Sequence, residues 1–100
     1  MDQMYQIVFT PEATDDLAGM RKFDLRRIVE EIESQLTDEP VRETRNRKRL
    51  RPNQLAEWEL RVDNFRVFYD VDEAEATAKV VAVGHKQGND LFIHGEKFEL

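Results

Sequence analysis

The 100-residue sequence contains no cysteine, and this absence excludes both a disulfide framework and a thiolate metal site. It also lacks any run near the roughly 20 apolar residues that a membrane-spanning helix needs. The first residues, Met1 to Met4, place no basic segment before an apolar run, so we expect no signal peptide. Together these features predict a cytoplasmic protein with no membrane partner.

Charge is what the sequence has in abundance. Charged residues make up 36% of the chain and hydrophobic residues 40%, which indicates a globular protein. A chain of this length is expected to form a single domain over residues 1–100 with one core of modest size. The net charge of -6 argues against a protein that coats nucleic acid indiscriminately.

The positive charge is concentrated in one segment. Between Arg42 and Arg51 the chain carries several basic residues against Glu43 alone, while the segments on both sides are acidic. Such a cluster predicts an edge that binds an anion, either a nucleic acid or an acidic partner, and the plainer interpretation is a solvated loop. The candidate RNA-binding residues are Arg45, Arg47, Lys48, Arg49 and Arg51.

A β-hairpin is predicted over residues 57–71. Two runs that alternate apolar and polar residues flank the two-residue link Asp63-Asn64, a spacing typical of a tight hairpin turn. Pairing across that link places three apolar pairs on one face, because side chains alternate along a strand. We expect this face to be core, and its pairs are Val62 with Phe65, Leu60 with Val67, and Trp58 with Tyr69.

The other face of this hairpin places two like charges side by side. In the same register Arg61 lies opposite Arg66, and like charges directly opposite each other destabilise a sheet. Keeping both suggests that they are reserved for an anionic ligand. The alternative is that both arginines are solvated and pair diagonally with Glu59.

Two helices are predicted before the hairpin. A first strand over residues 4–9 leads to Thr10-Pro11, a favourable cap and first helical residue, and the first helix then runs to about residues 19–21. A second helix begins after Asp24 as its cap and ends near Asp38. Its apolar residues form one stripe at helical spacing, namely Leu25, Ile28, Val29, Ile32 and Leu36.

A third strand of the meander is predicted over Lys79–Lys86, and its nearly continuous apolar run indicates burial on both faces. The tail, residues 91–100, is either a short hairpin or a packed extension. The order β-αα-βββ predicts an α+β fold, in which a helical hairpin packs on one face of a small antiparallel sheet. The opposite face should carry Arg61 and Arg66 together with His85 or Lys86.

The order strand, helical hairpin, basic segment, then WELRVDNFRVFYDV and VVAVGHKQGNDLF, resembles the RelE/ParE superfamily of type II toxins. The resemblance covers nearly the whole chain and implies a toxin that a cognate antitoxin protein neutralises. RelE-like members cut messenger RNA in the ribosomal A site without a metal or other cofactor, so the ribosome and mRNA would be partners. ParE-like members instead inhibit DNA gyrase.

The resemblance also assigns roles to single residues. Arg66 matches the arginine that opens the second hairpin strand and Lys86 matches a second basic position, and both suit stabilisation of phosphate charge. Arg61 would add to that field. Some related toxins use a glutamate base and a histidine acid, roles that Glu59 and His85 could fill here. The alternatives are a glutamate that only pairs with Arg61 and a strand-end histidine bonded to backbone.

Three positions depart from the RelE-type pattern. Glu57 and Glu59 stand where lysines occur on the first hairpin strand, and Phe92 stands where a tyrosine would donate a proton. We therefore predict a metal-independent, ribosome-dependent mRNA endoribonuclease with an altered acid/base set. A gyrase inhibitor, or a silent member that mainly binds its antitoxin, is the alternative. His94 lies outside the matched motif and is expected to be structural.

Overall fold

A computed structural model describes residues 4–100, which form one sheet with two helices on one of its faces. The predicted α+β class and its β-αα-βββ frame are confirmed, and three short strands extend the frame. In chain order the elements are β1 (Gln6–Phe9), α1 (Pro11–Ala18), α2 (Lys22–Leu36), β2 (Arg47–Arg49), β3 (Trp58–Val62), β4 (Phe65–Asp72), β5 (Thr77–Gln87), β6 (Asp90–Ile93) and β7 (Glu96–Phe98).

The sheet is centred on β5. The strands run in the order β2-β3-β4-β5-β6-β7 with antiparallel neighbours, while β1 pairs with β5 in parallel. Because β4 covers one edge of β5, β1 and β6 share successive stretches of the other edge. Between them, the Thr10 hydroxyl donates to the Val81 carbonyl at 3.2 Å, and Asp16 Oδ2 accepts from the Val83 amide at 3.0 Å. These side chains satisfy backbone groups that neither neighbouring strand reaches.

The predicted hairpin register is confirmed. β3 and β4 pair Val62 with Phe65 and Arg61 with Arg66 across the Asp63-Asn64 link. Asp63 has a φ of 54°, a left-handed conformation that aspartate tolerates better than most residues. The apolar face of the hairpin packs on α2, as expected, and the buried residues of this core include Ile28, Ile32, Leu36, Trp58, Leu60, Val62, Val67 and Tyr69.

The boundaries of α2 differ from the prediction at both ends. The helix begins at Lys22, so Asp24 is not its cap but lies in the first turn, where its carboxylate accepts from Arg21 Nε at 3.2 Å. A carboxylate at this position is favoured by the helix dipole. The helix ends at Leu36 rather than near Asp38. Its last turn is closed by Arg47, whose Nη1 donates to the Gln35 carbonyl at 2.6 Å.

The remaining strands differ from their predicted bounds. β1 is shorter than predicted, whereas β5 extends the third predicted strand at both ends. The tail is a hairpin, because β6 and β7 pair across His94-Gly95, and both link residues have positive φ, as a tight hairpin turn requires. No helix within residues 4–100 is long and apolar enough to cross a membrane.

Candidate anion-binding face

The sheet face away from the helices, called the open face below, is divided into an apolar part and a charged part. Phe68 on β4 and Ala82 on β5 form the centre of the apolar part, and the neighbouring strand β6 adds Leu91 and Ile93 to it. Leu50, Leu55 and Phe98 pack against its rim. This second cluster was not predicted from the sequence, and it separates the charged residues near the Asp63-Asn64 turn from the rest of the face.

An ion pair lies at the border between the two parts. Arg61 Nε contacts Glu59 Oε2 at 3.0 Å, and both side chains point to the open face because they are two residues apart on β3. The Arg61 side chain is half-exposed, whereas Glu59 as a whole retains only 8% of its accessible surface. A buried carboxylate is costly unless it is paired, so Arg61 compensates Glu59.

Arg66 lies directly opposite Arg61 and is half-buried. Its Nη1 donates to the carbonyl oxygens of Asp63 at 3.0 Å and Phe65 at 2.8 Å, so the guanidinium folds back on the hairpin turn. Burial lowers the pKa of Arg66 from its ordinary value; the Glu59 carboxylate opposes that change, and the Arg61 charge adds to it. A half-buried cation beside a second cation is stabilised by an anion, which is what the sequence analysis proposed.

Two lysines complete the charged part. Lys48 lies opposite Glu59 across the β2–β3 pair. Lys86 lies two residues after Gly84 on β5, and Gly84 lies opposite Arg66. Residues directly opposite in an antiparallel pair share a face, so both lysines are on the open face. We call Lys48, Arg61, Arg66 and Lys86, from four strands, the cationic cluster.

His85 does not join this cluster. It lies opposite Phe65, whose side chain packs against the core, so His85 is on the helix side of the sheet. Its ring stacks on that of Phe92 with centroids 5.4 Å apart and planes inclined by 18°. The structure therefore separates His85 from Arg66 by face. Of the two residues expected beside the arginines, His85 or Lys86, it is Lys86 that shares their face.

The basic segment also divides. Arg47 points into the protein, retains 8% of its surface, and closes α2, so it is absent from the exposed edge. Arg45, Arg49 and Arg51 are exposed, and the Arg49 guanidinium lies 5.6 Å from the centroid of the Trp58 ring. These three side chains are called the basic edge below. They lie on or next to the short strand that carries Lys48, and Arg49, opposite Trp58, is on the helix side of that strand.

A cavity of about 430 Å³ opens beside the cationic cluster. Glu59 and Lys86 line it, as do Asn89 and Lys97 from the C-terminal hairpin. Lys97 was not predicted from the sequence, although the His94-Gly95 link between two short apolar runs is a signal for the hairpin that brings Lys97 to the cavity. In residues 4–100, no group of three His, Cys, Asp or Glu side chains is placed to hold a metal ion.

Comparison with known proteins identifies the family of this site. A family model described as the ParE toxin of the type II toxin-antitoxin system, parDE, matches residues 7–89. The chain belongs to this toxin family. The match includes both hairpin arginines and both lysines of the cationic cluster. A comparison with curated proteins found no match.

Solved structures support the same assignment. A chain of the toxin-antitoxin complex RelBE2 from Mycobacterium tuberculosis is 27% identical, with a TM-score of 0.73, over 86% of this toxin and 98% of that chain. A chain of the archaeal RelE-RelB complex from Pyrococcus horikoshii OT3 is 19% identical, with a TM-score of 0.64, over 87% and 99% respectively, and shows the shared fold. The chain is thus a type II toxin of the RelE/ParE superfamily.

Proposed function

We propose that this toxin is an endoribonuclease that cuts messenger RNA in the ribosomal A site. The observation that carries the proposal is the cationic cluster, because four strands place Lys48, Arg61, Arg66 and Lys86 on one face of the sheet. RNA cleavage by its own 2′-oxygen builds negative charge on a pentavalent phosphate. Fixed cations at that position stabilise the developing charge, and such electrostatic stabilisation is usually the largest single contribution to catalysis.

In the proposed reaction the 2′-oxygen bonds to phosphorus while the bond from phosphorus to the 5′-oxygen breaks. Arg66 and Arg61 stabilise the developing phosphate charge, and the Lys86 ammonium donates the proton that the leaving 5′-oxygen takes up. The proposal gives His85 no role, because His85 lies on the helix side of the sheet. Glu59 accepts from Arg61, so the proposal gives it no proton-transfer role and leaves the 2′-hydroxyl proton to water.

Arg66→Ala tests the proposal. Loss of such a charge stabiliser typically slows the chemical step by about 100- to 1000-fold, so the variant should neither arrest growth nor cut a reporter message. Primer extension on that message, in cells that express each variant, measures cleavage. Arg26→Ala is the matched control, because Arg26 is an exposed arginine on α2, and it should behave as the wild type. Full cleavage by Arg66→Ala would contradict the proposal.

Gyrase inhibition is the second candidate, and two observations favour it. The matching family model is that of ParE toxins, and the histidine that could act as an acid is absent from the cationic face. Two results together would favour gyrase inhibition over RNA cleavage. The toxin would arrest growth without cutting the message, and purified gyrase would lose its supercoiling activity when the toxin is added. No arrest by a folded protein would indicate a silent member that mainly binds its antitoxin.

We also propose that the antitoxin covers the open face with an acidic amphipathic segment. The cationic cluster and the basic edge offer the charge complementarity for it, and such pairing makes association faster and sensitive to salt. Pull-down with the product of the neighbouring gene, in low and high salt, measures this. An apolar groove of about 370 Å³ between β1 and the helices is the alternative site. If high salt does not weaken the complex but Val29→Glu abolishes it, the antitoxin binds in this groove instead.

A further inference from the structure

Glu59 is an acidic side chain that the structure places between the cations of the cluster. It is bonded to Arg61, lies opposite Lys48, and attracts the Arg66 charge. It also lines the cavity beside Lys86. Its carboxylate therefore occupies the position in which a bound anion would neutralise the cluster.

The ion pair has a cost for any other anion. Arg61 uses its Nε–H for Glu59, so a phosphate approaching that guanidinium finds one donor occupied. The same phosphate is repelled by the carboxylate, and the repulsion is poorly screened because Glu59 is largely buried. The pair thus weakens the site for phosphate without removing any of its cations.

We infer that Glu59 is an internal counter-ion that competes with RNA phosphates for Arg61 and restrains the affinity of this toxin for free RNA. The inference rests on the proposed function, since it takes RNA as the ligand. Free single strands are then held weakly, and productive binding depends on additional contacts such as those of the exposed basic edge. Glu59 is in this sense a specificity-determining residue rather than a base.

Glu59→Gln tests this inference directly. The amide keeps an oxygen that accepts from Arg61 Nε and removes the charge. Fluorescence anisotropy with a labelled 12-nucleotide oligouridylate, between 50 and 200 mM KCl, measures affinity and its salt dependence. We expect binding about tenfold tighter than that of the wild type, because the charge of the Arg61 guanidinium is then available in full to one phosphate. The salt slope should steepen by about 0.7, one further phosphate contact.

Glu57→Gln is the matched control. It removes the same charge from the residue two before Glu59, at the far end of the hairpin, where its carboxylate accepts from the Val71 amide and an amide oxygen can do the same. The control should bind RNA as the wild type does. Equal tightening in both variants would show a general effect of net charge and overturn the inference, as would unchanged binding of Glu59→Gln or no binding by either protein.

The same change made in an Arg61→Gln variant shows whether Glu59 and RNA compete for Arg61. In Arg61→Gln, the additional change Glu59→Gln should alter RNA affinity by less than about twofold, because the contested guanidinium is gone. A tenfold gain in that background would overturn competition at Arg61. Thermal unfolding followed by circular dichroism verifies folding, and Glu59→Met replaces Glu59→Gln if the amide variant does not fold. Message cleavage in cells is scored separately, so failure of the nuclease proposal is distinguishable from failure of this inference.

Discussion

The two faces of the sheet differ in how much of their surface is apolar core. On the helix side, β3 and β4 pack against α2 as one continuous core, in which Leu60, Val67 and Ile32 are fully buried. On the open face, the second apolar cluster ends at Glu59 and Arg61. One face is therefore optimised for stability, whereas the other combines a small core with a cluster of like charges that packing alone does not require.

Leu60→Ala should have the largest effect on stability. Removing a fully buried leucine from the helix-side core should cost about 2–5 kcal/mol of unfolding free energy, through lost burial and the cavity left behind. Urea unfolding measures it. Lys79→Ala, an exposed change on the other face of β5, should stay within about 0.5 kcal/mol. Equal effects of the two changes would contradict the assignment of the main core to the helix side.

The helix side was predictable from sequence because two independent signals agree there. Alternation over residues 57–71 fixed which side chains share a face, and the two-residue link fixed the register, so the pairing of Leu60 with Val67 followed. The stripe on α2 supplied the matching apolar surface. Helix ends were less certain, since the true end of α2 depends on Arg47, a contact distant in sequence.

The open face was only partly predictable, and the reason is register. The link between β4 and β5 is longer, and an irregularity between Phe68 and Tyr69 shifts the pairing by one residue, so alternation cannot place His85 without the structure. Arg47 was misplaced for a different reason. Its charge indicates exposure, but a nearby helix end offered the carbonyl that makes burial tolerable.

Gly84→Ala should disrupt the open face. A Cβ at this position would lie 2.5 Å from the Phe92 carbonyl oxygen and 2.9 Å from Ile93 Cγ1, so β6 must move away from β5. Overpacking of this kind typically costs about 1–3 kcal/mol. Urea unfolding and the exposure of Phe68 to a hydrophobic dye measure the loss. Gly19→Ala, where the nearest atoms lie 3.8 Å away, is the control and should be neutral.

Tyr69→Phe tests a polar contact at the margin of the helix-side core. The hydroxyl donates to the Pro40 carbonyl at 2.7 Å, so its loss should cost about 1–2 kcal/mol at neutral pH. Burial raises the pKa of Tyr69, and the Arg47 charge opposes that change only in part. A raised folded pKa stabilises the protein below the ordinary value of about 10, and this contribution is lost as pH rises above it.

The difference in stability between wild type and Tyr69→Phe should therefore shrink between pH 9 and pH 11. Chemical unfolding at each pH measures it, with Tyr5→Phe as the control at a partly buried tyrosine. A difference that stays constant over this range would contradict the assigned environment of the Tyr69 hydroxyl.

His94→Asn should have the smallest effect, and it tests the contact that joins the C-terminal hairpin to α1. His94 Nδ1 lies 2.8 Å from Asp16 Oδ1, while the other oxygen of that carboxylate accepts from the Val83 amide. Asparagine tolerates the φ of 55° at this position but is too short to keep the ring contact. Because the histidine is half-exposed, global stability should fall by less than about 1 kcal/mol.

Local opening should respond more than global unfolding, because β6 pairs with β5 over only residues 85–87 and 90–92. Hydrogen exchange of the β6 amides should accelerate in His94→Asn, whereas exchange in the β3–β4 hairpin should not change. Asp16→Asn provides the complementary variant, since its amide oxygen can still accept from Val83. If β6 and the β3–β4 hairpin accelerate equally, the open face is not a separable layer and the contrast between the two faces does not hold.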